Sequence, residues 1–282
     1  MSKQSFKIAG KDYSSRLLVG TGKYEDEEIA VEAIQASGAE IVTVAVRRIE
    51  LDSKKRADCI LNYISPKKFT ILPNTAGCFN AKDAIRVAKL GREILSDSNL
   101  VKLEVLSDPK SLLPVMDETL VAAKELVKDG FEVMVYCTDN LDYAMKLEDL
   151  GCVAVMPLAA PIGSGLGIVN PNAISQIVKK LSCPVLVDAG IGTASEVSQA
   201  MELGCDGVLL NTAIARAKNP VLMAEAMKDA AISGRKAFLA GRIPKIDKGS
   251  PSSPTEGRIN SWKIVLEASL DQGQDYLKLK KI

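Results

Sequence analysis

The sequence predicts an α/β chain closed into a (β/α)8 TIM barrel, a single domain, and three observations predict it. Apolar, β-branched runs alternate with amphipathic stretches from one end to the other, eight of each. The runs are apolar on nearly both faces, as strands of a parallel sheet covered by helices must be. The length of 282 residues suits a barrel, which takes about 250. A doubly wound open sheet is the alternative, but no dinucleotide-type GxGxxG follows the first strand, and the GTG at Gly20–Gly22 is too short for that job.

The elements follow in order. A strand over 16–20 (RLLVG) precedes a helix over 25–37, which exits through Gly38. A strand over 40–46 precedes a helix over 54–64. The third pair is 69–72 and 81–95, with Ala84, Val87, Ala88 and Ile94 at helical spacing. The fourth strand, 100–106 (LVKLEVL), leads to a helix over 116–128 that stops at Gly130. Strand 131–137 pairs with helix 141–150, ended by Gly151, and strand 152–157 with helix 172–181. Strand 184–188 pairs with helix 195–203, ended by Gly204, and strand 206–211 with helix 220–233. Residues before Arg16 are expected to form a small hairpin over the barrel bottom, so that 1–245 is barrel plus hairpin. Residues 246–282 are expected to be a C-terminal loop and peripheral extension: 241–260 (GRIPKIDKGSPSSPTEGRIN) reads as a long loop, and 261–282 has only a weak helical pattern with a basic end.

Composition excludes several functions. Hydrophobic residues are 47% and charged residues 25%, the balance of a soluble globular protein, and the N-terminus has no apolar secretory stretch. The longest apolar runs, such as 152–162, fall short of the roughly 20 residues that a membrane helix needs. Net charge is +1, so no global field draws nucleic acid or an anionic membrane, and any bound anion must be gripped locally. Six cysteines without a CxxC pair read as buried free thiols in a reducing compartment, the cytoplasm or an organelle stroma, and none has a cationic neighbour in sequence that would make a reactive thiolate. Histidine is absent, which removes Ser-His-Asp and Cys-His nucleophiles and histidine-bound metals; no metal or cofactor is expected. Proton transfer falls to Lys, Asp, Glu, Tyr, Cys or water.

Side chains two apart on a strand share a face. Lys102 and Glu104 therefore point one way and Val101, Leu103 and Val105 the other, which puts the charged pair inside the barrel. A buried ammonium costs several kcal/mol unless it is paired or neutralised. One reading is an ion pair that merely fills the barrel; the other is a nucleophilic amine that forms an imine with a carbonyl substrate. At its reference pKa on the order of one lysine in several thousand is neutral near pH 7. Burial raises that fraction and an ionised Glu104 opposes it, so the pair makes sense if Glu104 shuttles protons and carries one for part of the cycle.

Asp188 ends the seventh strand, where barrel enzymes place catalytic groups. It reads equally as a helix N-cap, although Thr193 or Ser195 can take that duty. Three segments look like phosphate cradles: PIGSGLGI with Gly163, Gly165 and Gly167, then Ala189-Gly190, then Asn211-Thr212. Arg47-Arg48 and Asn74-Thr75 are further rim residues to which no role is assigned.

Together the segments SRLLVGTGKY (15–24), TVAVRR (43–48), LPNTAG (72–77), VKLEVL (101–106), SLLP (111–114), MPLAAPIGSGLGI (156–168), VDAGIG (187–192), MELGCDGVLLNTAI (201–214) and AGRIP (240–244) resemble the bacterial and plastid thiazole synthases, in order, from about residue 5 to about 255. The resemblance implies a (β/α)8 enzyme that builds the thiazole phosphate of thiamine from 1-deoxy-D-xylulose 5-phosphate, dehydroglycine (2-iminoacetate) and the sulfur of a small carrier protein with a C-terminal thiocarboxylate. It implies that Lys102 forms the Schiff base and that Glu104 and Asp188 are the acid–base carboxylates. Gly163, Ala189, Gly190, Asn211 and Thr212 would bind substrate, chiefly at the phosphate. A dehydroglycine-forming enzyme, a homo-oligomer and a cytoplasmic or plastid-stromal location are implied too. The chain departs from the family pattern by running on from Gly257, which bears on contacts with the carrier or between subunits. Two rival readings are a class I sugar-phosphate aldolase and a non-catalytic scaffold that docks the carrier.

Overall fold

The computed structural model describes residues 6–48, 63–95 and 98–253. The helix expected over 54–64 lies outside them except for its last two residues, which are turn, and the segment 261–282 lies outside them entirely. Among the described residues the chain divides into two units, Met1–Gly241 and Arg242–Ile282. The described part of the second, 242–253, is irregular and exposed.

The chain opens with β1 (Phe6–Ile8) and β2 (Lys11–Tyr13), an antiparallel hairpin. Eight parallel strands follow: β3 (Leu17–Gly20), β4 (Ile41–Ala45), β5 (Thr70–Asn74), β6 (Leu100–Leu103), β7 (Glu132–Cys137), β8 (Ala154–Pro157), β9 (Leu186–Asp188) and β10 (Gly207–Leu210). Each pairs with its sequence neighbours from β3 to β8, and β10 pairs with both β9 and β3. The bridges Val155 to Val185 and Leu158 to Asp188 join the ends of the sheet, so it closes as a barrel. Around it lie α1 (Glu27–Ala36), α2 (Ala81–Ile94), α3 (Met116–Lys128), α4 (Leu141–Asp149), α5 (Pro171–Lys180), α6 (Ala194–Glu202), the short α7 (Thr212–Ala215) and α8 (Pro220–Ala240).

Strand parity sorts the side chains into layers. Val101, Leu103 and Val105 pack outward among Ala84, Val87 and Ala88 of α2 and Ala122, Ala123 and Leu126 of α3. Inside the barrel, Leu18, Ile41, Leu72, Leu100, Met134, Leu186 and Leu209 form one apolar cluster with Phe6, Ile8 and Tyr13 of the hairpin. Burying each large side chain there stabilises the fold by about 1.5–3 kcal/mol. Tyr13 and Lys11 both donate to the Thr70 hydroxyl, at 3.1 and 2.7 Å, which fastens the hairpin over the barrel floor. With the floor apolar and plugged, the polar residues of the interior gather toward the other end. Thr43, Asn74, Lys102, Glu104 and Asp188 are all buried there.

Two boundaries differ from expectation by more than two residues. Strand β6 ends at Leu103 rather than at 106, because the Glu104 N–H turns to the Thr75 hydroxyl and the Leu106 N–H to the Cys78 carbonyl. Helix α8 runs on to Ala240 rather than stopping at 233. It passes through Gly234, where a Cβ would meet the Ser198 carbonyl oxygen of α6 at 2.5 Å, so the glycine serves close helix packing. The described cysteines are all free, with Cys78, Cys137, Cys152 and Cys205 buried and Cys183 half-buried. Among the described residues no helix is long and apolar enough to cross a membrane.

Candidate active site

Lys102 occupies the third position of β6 with its side chain in the barrel, 4% exposed. Its ammonium donates to Glu104 Oε1 at 2.7 Å. Asp188 Oδ2, from the end of β9, lies 2.7 Å from the same Nζ and forms a second ion pair with it. The Tyr136 ring lies 5.6 Å away and its buried hydroxyl has no partner among the described residues. Periodicity paired Lys102 with Glu104; the structure adds Asp188 as an equally close partner.

Burial disfavours the ammonium, but the charges of Asp188 and Glu104 outweigh it and hold the Lys102 amine above the usual lysine range. Burial is also the main cause that lifts Asp188 to about 6, helped by Glu104 and opposed by Lys102. Tyr136 is pushed up by burial and by the two carboxylates, so its hydroxyl is a proton donor and not a phenolate. The resting site is thus a protonated lysine beside a carboxylate whose basicity is unusually high. Asp188 has no capping duty: Thr193 is the N-cap of α6, and Glu196 accepts from the Gly192 and Thr193 N–H groups.

The neighbouring strand end holds this pair in place. The Thr75 hydroxyl donates to the Glu104 carbonyl and accepts from the Glu104 N–H, and the Thr75 N–H donates to the Lys102 carbonyl at 3.1 Å. Asn74 stands in register with Lys102, and its amide donates to Thr43 Oγ1 at 2.9 Å.

A cavity of about 1080 Å³ opens onto these groups, lined by Lys102, Glu104 and Asp188 and by Gly163, Ala189, Gly190, Asn211 and Thr212. The eight residues singled out in the sequence therefore meet at one site. The cradle expectation is corrected in one respect: Gly165 and Gly167 do not line the cavity but pack on the loop after β9. The Gly167 N–H donates to the Gly190 carbonyl at 2.8 Å, and a Cβ on Gly192 would meet the Gly165 carbonyl at 2.7 Å. Gly190 is the most constrained position, with φ of 77° and the Ala160 backbone nitrogen 2.4 Å from where a Cβ would be. Ala189 beside it is also left-handed, at φ 64°, a strained conformation for a residue with a Cβ. Asn211 spends its amide nitrogen on the Gly22 carbonyl at 2.8 Å, while its buried Oδ1 has no partner among the described residues.

Lys23, Thr43, Arg47 and Asn74 line the same cavity. Arg47 and Asn74 had been noted without a role. Thr43 and Tyr136 were missed, although the period-two rule that found Lys102 also turns them inward. Arg47 lies near Cys78 in space, but burial still raises that thiol above its usual range.

Comparison with known proteins agrees with this geometry. A family model described as thiazole biosynthesis protein ThiG matches residues 7–254. A thiazole synthase from Aromatoleum aromaticum is 61% identical over 258 residues, covering 91% of this chain and 99% of that protein. One from Methylobacillus flagellatus is 60% identical over 253 residues, covering 89% and 98%. Among solved structures, the BexX/CysO complex of Amycolatopsis orientalis contains a chain that matches with a TM-score of 0.75 and 33% identity, over 86% of this chain and 98% of that one. A thiamine phosphate pyrophosphorylase from Pyrococcus furiosus shares the barrel fold alone, with a TM-score of 0.54 and 17% identity over 78% of this chain and 96% of that one.

Proposed function

The chain belongs to the ThiG family of thiazole synthases, enzymes of thiamine biosynthesis, and on that premise we propose that Lys102 forms the imine through which the thiazole is built. The observation that carries the reading is one buried amine with two carboxylate oxygens at 2.7 Å inside a barrel. The substrate of this step is 1-deoxy-D-xylulose 5-phosphate, with its phosphate against Gly163, Ala189, Gly190 and Thr212.

The resting ammonium must lose a proton before it can attack. Substrate entry displaces water, which makes two buried charges costlier than a neutral amine beside a carboxylic acid, so the proton passes to Asp188. The amine adds to the C2 carbonyl, and loss of one water leaves the imine. The imine makes the C3 proton acidic; a carboxylate removes it, and reprotonation at C2 leaves a ketone at C3. Glu104 and Asp188, each 2.7 Å from the amine, make these two transfers, one accepting while the other gives. Sulfur from a carrier-protein thiocarboxylate attacks the C3 ketone; transfer of the acyl group from sulfur to the C3 oxygen breaks the acyl–sulfur bond, and the carrier leaves as its carboxylate, with a thioketone at C3. Loss of the C4 hydroxyl as water restores the imine between C2 and Lys102. The sulfur then adds to the imine carbon of dehydroglycine, and the amine so formed displaces Lys102 from C2, which closes the ring and frees the enzyme. The solved complex of BexX with CysO supports a carrier partner for this chain as well. A dehydroglycine-forming enzyme, self-association into a homo-oligomer and a cytoplasmic or stromal location complete the proposal.

Incubation with the ketose phosphate, thiocarboxylated carrier, and glyoxylate with ammonia as the source of the imino acid tests it. The expected product is a thiazole phosphate by mass spectrometry, lost in Lys102→Ala. Release of a cleaved aldehyde would identify an aldolase instead, and turnover by Lys102→Ala would contradict the imine.

A further inference from the structure

Lys23 lies in the loop between β3 and α1, and its Nζ is 3.4 Å from Thr212 Oγ1. A Cβ built on Gly163 would stand 3.3 Å from the same Nζ. The loops after β3, β8 and β10 thus bring an ammonium, a hydroxyl and a glycine backbone to one corner of the cavity. The position is held from below. Asn211 grips the Gly22 carbonyl at 2.8 Å, and Gly20 admits Asn211 so closely that a Cβ there would be 2.8 Å from it. One residue later the backbone turns left-handed, with φ of 70° at Lys23. Non-glycine residues seldom adopt that conformation, and it recurs where a side chain must be aimed.

Among the described residues Lys23 makes no ion pair; the acidic residues nearest in sequence are Glu25, Asp26 and Glu27, and the Asp26 carboxylate caps α1 through the Ile29 N–H. An ammonium without a counter-charge beside a hydroxyl and a cradle of backbone is suited to a dianion. We propose that Lys23 is the ionic partner of the substrate phosphate and makes the enzyme selective for a phosphorylated over an unphosphorylated ketose. The proposal rests on the phosphate reading above and adds the charge that the glycine cradle lacks. Asn211 is then a positioning residue, acting on the phosphate through the segment that carries Lys23.

The test is calorimetric binding of 1-deoxy-D-xylulose 5-phosphate and of 1-deoxy-D-xylulose to the full chain, its Lys23→Met and Lys23→Arg variants, with borohydride trapping run in parallel. Lys23→Met is expected to weaken binding of the phosphorylated ketose on the order of 10- to 100-fold, while the weak binding of the unphosphorylated sugar stays as it was. Lys23→Arg should recover part of the loss, and inorganic phosphate should compete less well against Lys23→Met than against the parent. Equal losses for both sugars, or none for either, would overturn the assignment and leave Lys23 a structural residue. Binding that depends on Lys23 in a parent protein that traps no imine would sustain this proposal and sink the Lys102 mechanism instead.

Discussion

Thr75 and Glu104 are joined twice through one hydroxyl: Thr75 Oγ1 donates to the Glu104 carbonyl at 2.7 Å and accepts from the Glu104 N–H at 2.8 Å. A threonine one residue past the end of β5 thereby replaces ladder pairing where β6 gives out. The backbone of Glu104, the proposed acid–base residue, is fixed by a side chain that does not line the cavity.

Thr75→Val keeps the shape and removes both bonds. It strands a buried N–H, at a cost of about 1–3 kcal/mol. Urea denaturation should show that loss. Imine formation should persist while thiazole formation slows, because the amine stays and the carboxylate drifts.

Removing Lys102 should change the charge of Asp188. The lysine is the chief influence lowering that carboxyl, while burial and Glu104 hold it up at about 6. In Lys102→Ala the opposing charge is gone, so Asp188 moves higher and carries a proton at pH 7. An infrared difference spectrum should show a protonated carboxyl stretch at pH 7 that disappears in Lys102→Ala/Asp188→Asn.

The pH dependence follows from the same group. Its proton stays on below about 6 and leaves above it, so Asp188 is a base only on the alkaline side of that value. The rate of imine formation should therefore rise with pH through about 6. Asp188→Asn should abolish that limb and lower the plateau by about 100-fold or more, within the usual worth of a general base.

Gly190 and Gly165 separate cradle from linker. Both are left-handed, at φ 77° and 65°, but a Cβ on Gly190 meets the Ala160 backbone at 2.4 Å whereas one on Gly165 has its nearest neighbour at 3.8 Å. Gly165→Ala should cost about 1 kcal/mol of backbone strain. Gly190→Ala should destabilise well beyond that and abolish ketose phosphate binding, measured by thermal unfolding with and without the ligand.

The barrel was legible because parallel strands covered by helices leave long two-sided apolar runs, and the Lys102–Glu104 pair stood out as charge within one of them. Glycines 38, 130, 151 and 204 marked helix ends and are all left-handed in the structure. Gly234 shows the limit of that signal, since what it accommodates is a carbonyl from α6, far away in sequence. The third member of the charged cluster was visible only as a strand-end acid, because the closeness of Asp188 to Lys102 arises from barrel closure across β6 and β9. Lys23 was hidden for a related reason: its neighbours, Gly163 and Thr212, lie more than a hundred residues away in sequence. The helix over 54–64 and the segment 261–282 fall outside the described residues except for the turn at 63–64.

Borohydride reduction of the protein incubated with 1-deoxy-D-xylulose 5-phosphate, followed by peptide mass spectrometry, tests the central assignment most directly. The expected result is one reduced adduct of the ketose phosphate on Lys102, absent in Lys102→Ala. An adduct on another lysine, or none with this ketose, would contradict the assignment of Lys102 as the Schiff-base residue.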